Sequence, residues 1–412
     1  MHRYFTLFRN RPFARLWMGS TISMWGDALT WISMVWIVYS LAGTTAAISL
    51  LVVCYTAPVI LGGFAMGAAL DRFDRRRTLI VVNVLLGIAI ASIPLLHALH
   101  ALRLWEIYTV AAIYGLLKMA NWAGVPTLIP SLVEEDDLNT ANAMESASWG
   151  IADVAGPAAA GAVIAIVGAA DVLVLDAITY AMFVLALVWL RLPAEDRTPK
   201  VERAQDRAGL RPAFRFIRRT PAVFATTIMF MAFNVGEGML LVLLPTIVRH
   251  TLHGGSATYG LLASTFALAA LIGSIAVGAA QWRFTLGRSI AVAQAAAGVA
   301  FFGLAFAHGV LSVAATLALA GFLASPLSIW AQTIRMRKIP DDLRGRIFAA
   351  LRTLMQATPP IGGMVAGAAI AGPGMVFAVV SMGTVMTVPG LLGMVTPALT
   401  AEQVRAIEVL PT

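Results

Sequence analysis

The chain has 412 residues, 59% of them apolar and only 12% charged, with a formal net charge of +8, and its mean hydropathy is +0.82. That composition excludes a soluble globular domain, and the single cysteine, Cys54, excludes an intrachain disulfide and a Cys-rich metal site. An all-α membrane protein remains, because a run of about 20 apolar residues can satisfy its own backbone in lipid only as a helix.

Twelve such runs follow in chain order, near 16–41, 46–70, 78–100, 105–129, 143–168 and 172–191, then 222–248, 257–281, 289–308, 311–334, 346–371 and 374–396. The first follows Arg3, Arg9, Arg11 and Arg15 but is about twice the length of a signal-peptide core, so it reads as a retained span. An even number of spans puts both termini on one side. The termini and even-numbered loops hold 26 of the 29 Lys and Arg residues, which makes that side the cytoplasm. The net charge is therefore an orientation signal of a multi-pass membrane protein, and no nucleic-acid partner is expected.

The chain also repeats. Shifted by 211 positions, residues 43–77 match 254–288 without a gap at 12 of 35 positions, including Gly67, Arg72, Phe73 and Arg77. A second echo, Asp136-Asp137-Leu138 against Asp341-Asp342-Leu343, precedes the fifth and eleventh runs. The expected organisation is a six-helix bundle over 1–191, a linker over 192–221, a second six-helix bundle over 222–396 and a cytoplasmic tail over 397–412. Within the linker, Leu210, Phe214 and Ile217 share a helical face beside Arg211, Arg215 and Arg218, the pattern of an interfacial helix.

A charge near the bilayer centre costs roughly 2.5–3.5 kcal/mol, so each one needs a reason. Four lie deep in runs: Asp27, Lys118, Asp153 and Glu237. Gly26-Asp27 and Gly236-Glu237 stand 210 positions apart, one off the repeat, so each half places a Gly-acid pair at mid-depth in its first helix. An apolar setting disfavours a carboxylate, which lets such groups take up and release protons; the competing reading is a hydrogen-bonded contact between helices. Lys118 can pair with Asp27 or with Asp153. Ser23, Met24, Trp31 and Met34 lie around Asp27, and Phe233 and Asn234 around Glu237, as adaptable walls suited to a bulky, partly apolar solute. Asp171 reads as the N-terminal residue of the sixth helix, and Asp176 one turn later is given the same reading. His97, His100, His250 and His253 fall at outer helix ends and read as interface residues, with no metal expected.

No P-loop follows any of the three lysines, and no zinc-protease, nucleophile-elbow or dinucleotide motif occurs. The chain therefore reads as no enzyme and needs no cofactor; its energy source is a gradient.

Residues 67–77 carry six charges between two apolar runs. Gly67-x-x-x-Asp71-Arg72-x-Asp74-Arg75-Arg76 resembles the signature loop of the major facilitator superfamily, with Asp74 where a glycine is usual. The Asp-Arg-Phe-Asp-Arg-Arg form is similar to the macrolide-efflux and enterobactin-exporter branch of twelve-span drug:proton antiporters. Phe8-Arg9-Asn10-Arg11-Pro12-Phe13, Trp25-Gly26-Asp27 and Leu343-Arg344-Gly345-Arg346 agree with it. Ala152-x-x-x-Gly156-Pro157-x-x-Ala160-Gly161 is similar to the antiporter motif, with alanine at two glycine positions.

This resemblance implies a major-facilitator-type fold of twelve transmembrane helices in two pseudo-symmetric six-helix bundles, with the first, fourth, seventh and tenth lining a cavity. Asp27, Lys118 and Glu237 fall on three of these, and the tenth adds Ser328 and Gln332. Gly67, Asp71, Arg72, Arg75 and Arg76 become a gating loop in which Asp71 holds the eleventh helix. The expectation is a monomeric, proton-coupled efflux carrier for a small amphipathic compound, with Asp27, Glu237, Lys118 and Asp153 in coupling or binding. A dedicated natural-product exporter or flippase and a non-transporting sensor are the alternatives.

Overall fold

The structure is a computed structural model that describes residues 7–190, 211–279, 285–339 and 344–400. Within the described residues each of the twelve apolar runs is mainly helical, and no strand occurs there. In chain order the helices are α1 (Arg11–Ala42), α2 (Thr45–Arg72), α3 (Arg75–Ala98), α4 (Leu104–Leu128), α5 (Leu138–Val167), α6 (Val172–Val188), α7 (Arg211–Arg219) and α8 (Pro221–Thr246). They continue with α9 (Ser256–Ala279), α10 (Leu286–Phe301), α11 (Val310–Lys338), α12 (Arg344–Gln356), α13 (Pro359–Ala371) and α14 (Met375–Val395).

Nine helices among the described residues are long and apolar enough to cross a membrane. The runs outside that set have identifiable causes. α4 carries Lys118 and Asn121, and α6 has only 17 residues. The eleventh run, expected as one helix, is two. Pro359-Pro360 cannot extend a helix from its N-terminal side, and the chain breaks at Ala357–Thr358 before restarting with proline in the first turn of α13.

Two compact units divide the chain: residues 1–203 with 244–264, and 204–243 with 265–412. In the first, α1 packs on α5 and α6, α2 on α4, and α3 on α6. Its core holds Phe13, Leu16, Met34, Leu51, Leu86, Tyr114, Tyr180 and Phe183. In the second, α10 packs on α11 and α14, and α7 buries Ala213 and Ile217 against Ile347, Ala350 and Leu351 of α12. Phe214, of the same apolar set as the buried Ile217, is exposed; Leu210 lies outside the described residues.

Local chemistry repeats along with the sequence. Asp74 caps α3 by accepting from the Arg77 amide at 2.7 Å, and Thr285, 211 positions later, caps α10 by accepting from the Arg288 amide at 3.3 Å. The same offset relates two fully buried amides. Asn83 forms a two-way amide pair with Asn121 at 2.8 and 2.9 Å, and Gln294 donates to the carbonyls of Met229 and Met386 at 3.0 and 3.3 Å. Each ties helices together through buried polar contacts, and Oε1 of Gln294 finds no hydrogen-bond partner among the described residues.

Candidate functional site

The first unit contains a connected set of polar side chains in the middle of its helices. It is built around Gly26-Asp27 on α1. A Cβ at Gly26 would overlap the Asp176 carboxylate and the Thr179 hydroxyl, so the glycine lets α6 close on α1 at that level. Asp27 then meets three partners. Oδ1 accepts from the Tyr114 hydroxyl at 2.5 Å and the Tyr180 hydroxyl at 2.7 Å, while Oδ2 lies 3.1 Å from Lys118 Nζ. Lys118 also donates to the Tyr114 hydroxyl at 3.0 Å, with its ammonium 5.0 Å from the centre of that ring. Tyr114 and Lys118 are one helical turn apart, which places both on one face of α4.

The Asp27 and Lys118 side chains are each 15% exposed, so most of their hydration is gone and the ion pair with its two hydroxyl donors replaces it. Of the two partners open to Lys118 from sequence, the structure selects Asp27. Asp153 lies on an exposed part of α5, one turn before Pro157. Ser23 and Met24 line a small cavity of about 30 Å³ together with Asp27, Lys118 and Glu145, room for roughly a single water. Trp31 stacks at 5.0 Å on Tyr55, which lies 5.7 Å from Tyr114, so an aromatic row leads to the ion pair. Met34 is fully buried in the apolar core.

Asp176 corrects its sequence reading. It is no end-of-helix residue; it is 0% exposed, well inside α6, and accepts hydrogen bonds from Thr30 and, at 2.9 Å, Thr179. No cation pairs with it among the described residues. Tyr180, one turn further along α6, connects the same helix face to Asp27. Tyr114, Tyr180 and Glu145 were also not singled out by sequence. Tyrosines in apolar runs are ordinarily interfacial, and Glu145 sits in a polar helix start, so only a helix-facing register could have found them.

In the second unit Glu237 is half-buried on α8 and makes no hydrogen bond or ion pair with any described residue. On the same helix Phe233 is buried and Asn234 donates to the Met355 carbonyl at 3.0 Å. On α11, Ser328 is exposed and Gln332 half-buried. Arg335, counted by sequence with the cytoplasmic cations, is only 5% exposed. Its guanidinium lies 4.9 Å from the Phe230 ring centre, and Nε and Nη2 find no hydrogen-bond partner among the described residues.

The loop between α2 and α3 is only Phe73 and Asp74. Gly67 and Arg72 lie on α2, with Arg72 5.6 Å from the Phe73 ring centre; Arg75 is half-buried at the start of α3, and the Asp71 side chain lies outside the described residues. Arg76 donates from Nε to the Leu187 carbonyl at 2.6 Å and from Nη2 to that of Val188. The Gly156-Pro157-x-x-x-Gly161 stretch of α5 packs on the start of α9. Ser256 donates to the Gly161 carbonyl at 3.0 Å, and the Ala158 amide donates to Ser264 Oγ at 2.9 Å. Gly161 and Gly260 make this approach possible, since a Cβ on either would overlap backbone of the other helix.

Residues 3–409 match the transmembrane secretion effector family of the major facilitator superfamily. The chain belongs to it. Relatives of this chain include the multidrug efflux pump Tap of Mycolicibacterium fortuitum, 24% identical over 83% of this chain and 85% of the relative. Macrolide efflux protein A of Streptococcus pyogenes is 20% identical over 85% and 87%. Among solved structures, the peptide transporter POT has a TM-score of 0.75 at 13% identity and covers 95% of each chain, a likeness of fold alone. The family is one of transporters, and this member is a multi-pass membrane transporter.

Proposed function

We propose that this transporter exports small amphipathic organic compounds across the bacterial inner membrane by alternating access, exchanging them for protons, with both termini in the cytoplasm. The observation that carries the coupling is the Asp27 carboxylate, held inside a membrane helix by Lys118, Tyr114 and Tyr180. A proton arriving on Asp27 cancels its charge and leaves the Lys118 ammonium buried without a counter-ion, a state that costs several kcal/mol. That penalty is a reason for α1 and α4 to rearrange, and it is reversed when the proton leaves. Glu237, with no hydrogen-bond or ion-pair partner among the described residues, is the group available to a cationic solute, beside the apolar wall at Phe233. The efflux activities named for Tap and macrolide efflux protein A support the direction of transport.

The test is export from proteoliposomes under an imposed pH gradient, with a macrolide and a lipophilic cation as probes. Asp27→Asn is expected to abolish gradient-driven export while leaving probe binding. Glu237→Gln is expected to weaken export of the cation more than that of a neutral probe. Undiminished, pH-dependent export by the double variant would overturn the assignment.

A further inference from the structure

An open cavity of about 640 Å³ lies in the first unit, at the C-terminal end of α6, where Arg11 and Arg15 of α1 and Arg76 of α3 converge beside Trp189. Arg15 donates to the Trp189 carbonyl at 3.2 Å, and Arg76 donates to the carbonyls of Leu187 and Val188. These bonds satisfy the last carbonyls of α6 and fix two guanidiniums in place. They do not balance the charge. A helix C-terminus offers roughly half a negative charge, set against three full positive ones, and no carboxylate pairs with any of the three arginines among the described residues. The Arg11 side chain, which lines the cavity, makes no hydrogen bond within the described residues, so its planar donor fork is open to a ligand.

We propose that this cavity binds the phosphate of an anionic phospholipid headgroup. Arginine presents paired N–H donors that match two oxygens of one phosphate, which explains three arginines where one would cap the helix. The volume falls in the range of small-molecule sites and admits a phosphoglycerol group. The surroundings favour lipid over a free anion: Trp189 is 63% exposed at the end of an apolar helix, as an aromatic at the headgroup level would be, and Val188 beside it is exposed too. Basic clefts between helix ends on the positively charged side of a membrane protein are suited to such headgroups. Bound there, one lipid bridges α1, α3 and α6, and through Arg76 it reaches the start of α3.

The test is native mass spectrometry of the full chain, delipidated and then offered phosphatidylglycerol, cardiolipin and phosphatidylcholine in equal amounts. Phosphatidylglycerol and cardiolipin should be retained over phosphatidylcholine. Arg11→Gln should lower retention about five-fold, and adding Arg15→Gln should lower it about five-fold again. Because Arg11 bonds nothing in the described structure, its variant folds as the parent does. Arg103→Gln, at the opposite end of the bundle, should leave retention unchanged. Competition with inorganic phosphate separates the sources: displacement only at high millimolar phosphate assigns the site to lipid, while displacement at micromolar phosphate, lost in Arg11→Gln, keeps the phosphate site and assigns it a soluble occupant. Equal retention of phosphatidylcholine, or equal loss in Arg11→Gln and Arg103→Gln, overturns the proposal.

Discussion

The two units carry related Gly-acid pairs in unlike surroundings. Asp27 in the first has a cation, two tyrosine hydroxyls and a second buried carboxyl nearby on the face of α6. Among the described residues, Glu237 in the second has none of these, and Arg335 of the same unit keeps two guanidinium nitrogens unbonded. A satisfied network is rigid and responds to the loss of any member, whereas an unsatisfied group is held by little and is free to take a ligand. Nearly the same repeat position thus carries an acid in unlike surroundings, which is why different roles are proposed for the two.

The largest expected effect comes from removing the cation. Lys118→Ala leaves Asp27 without its counter-ion and is expected to cost about 3–5 kcal/mol of stability, read as a fall in thermal midpoint in detergent. Adding Asp27→Asn should restore most of that loss, since both charges are then gone, without restoring gradient-driven export. Glu237→Gln breaks no hydrogen bond or ion pair among the described residues and should change stability by less than about 0.5 kcal/mol. A loss with Glu237→Gln as large as that with Lys118→Ala would erase the contrast between the units.

The two glycines give a smaller, sharper contrast. Alanine at Gly26 meets the Asp176 carboxylate and the Thr179 hydroxyl, both already engaged in hydrogen bonds, and should cost about 1–3 kcal/mol through overpacking. Alanine at Gly236 meets first the side chain of Met386, from Cγ outward, which is unbranched and adaptable. Its effect should stay below about 1 kcal/mol, and the pair of thermal midpoints decides the matter. Equal losses would mean that the second unit is packed as tightly around its glycine as the first.

The apolar runs were legible because lipid leaves a helix no alternative, and Asp27 was legible because a charge in such a run is expensive. The choice of Asp27 over Asp153 as the partner of Lys118 was not, since it depends on how α1, α4 and α5 are rotated about their axes, which hydropathy does not encode. Asp176 was misplaced for a related reason: five residues from a helix start resembles an end position until the shortness of α6 puts it deep against α1. Arg335 was hidden among cytoplasmic cations, where sequence gives burial no signature. The break before α13 was there to be read in Pro359-Pro360, but an unbroken apolar run masked it. Asp74, a departure from the signature loop, has a physical reason in the cap it provides to α3.

That cap also marks where the two units should behave alike. Asp74 and Thr285 occupy the same repeat position and each accepts from the amide three residues on, Arg77 in one case and Arg288 in the other. Replacing either by alanine frees one amide of a first helical turn, a loss of about 1 kcal/mol. The carboxylate of Asp74 adds a favourable interaction with the N-terminal end of α3 that the neutral Thr285 hydroxyl lacks, worth roughly 0.3–1 kcal/mol and weakened by salt. Hydrogen exchange at the first-turn amides of α3 and α10 should therefore speed up in both variants, more so in Asp74→Ala, with the excess shrinking at high ionic strength. An excess that persists in salt would place the difference in packing around α3 instead of in the charge of its cap.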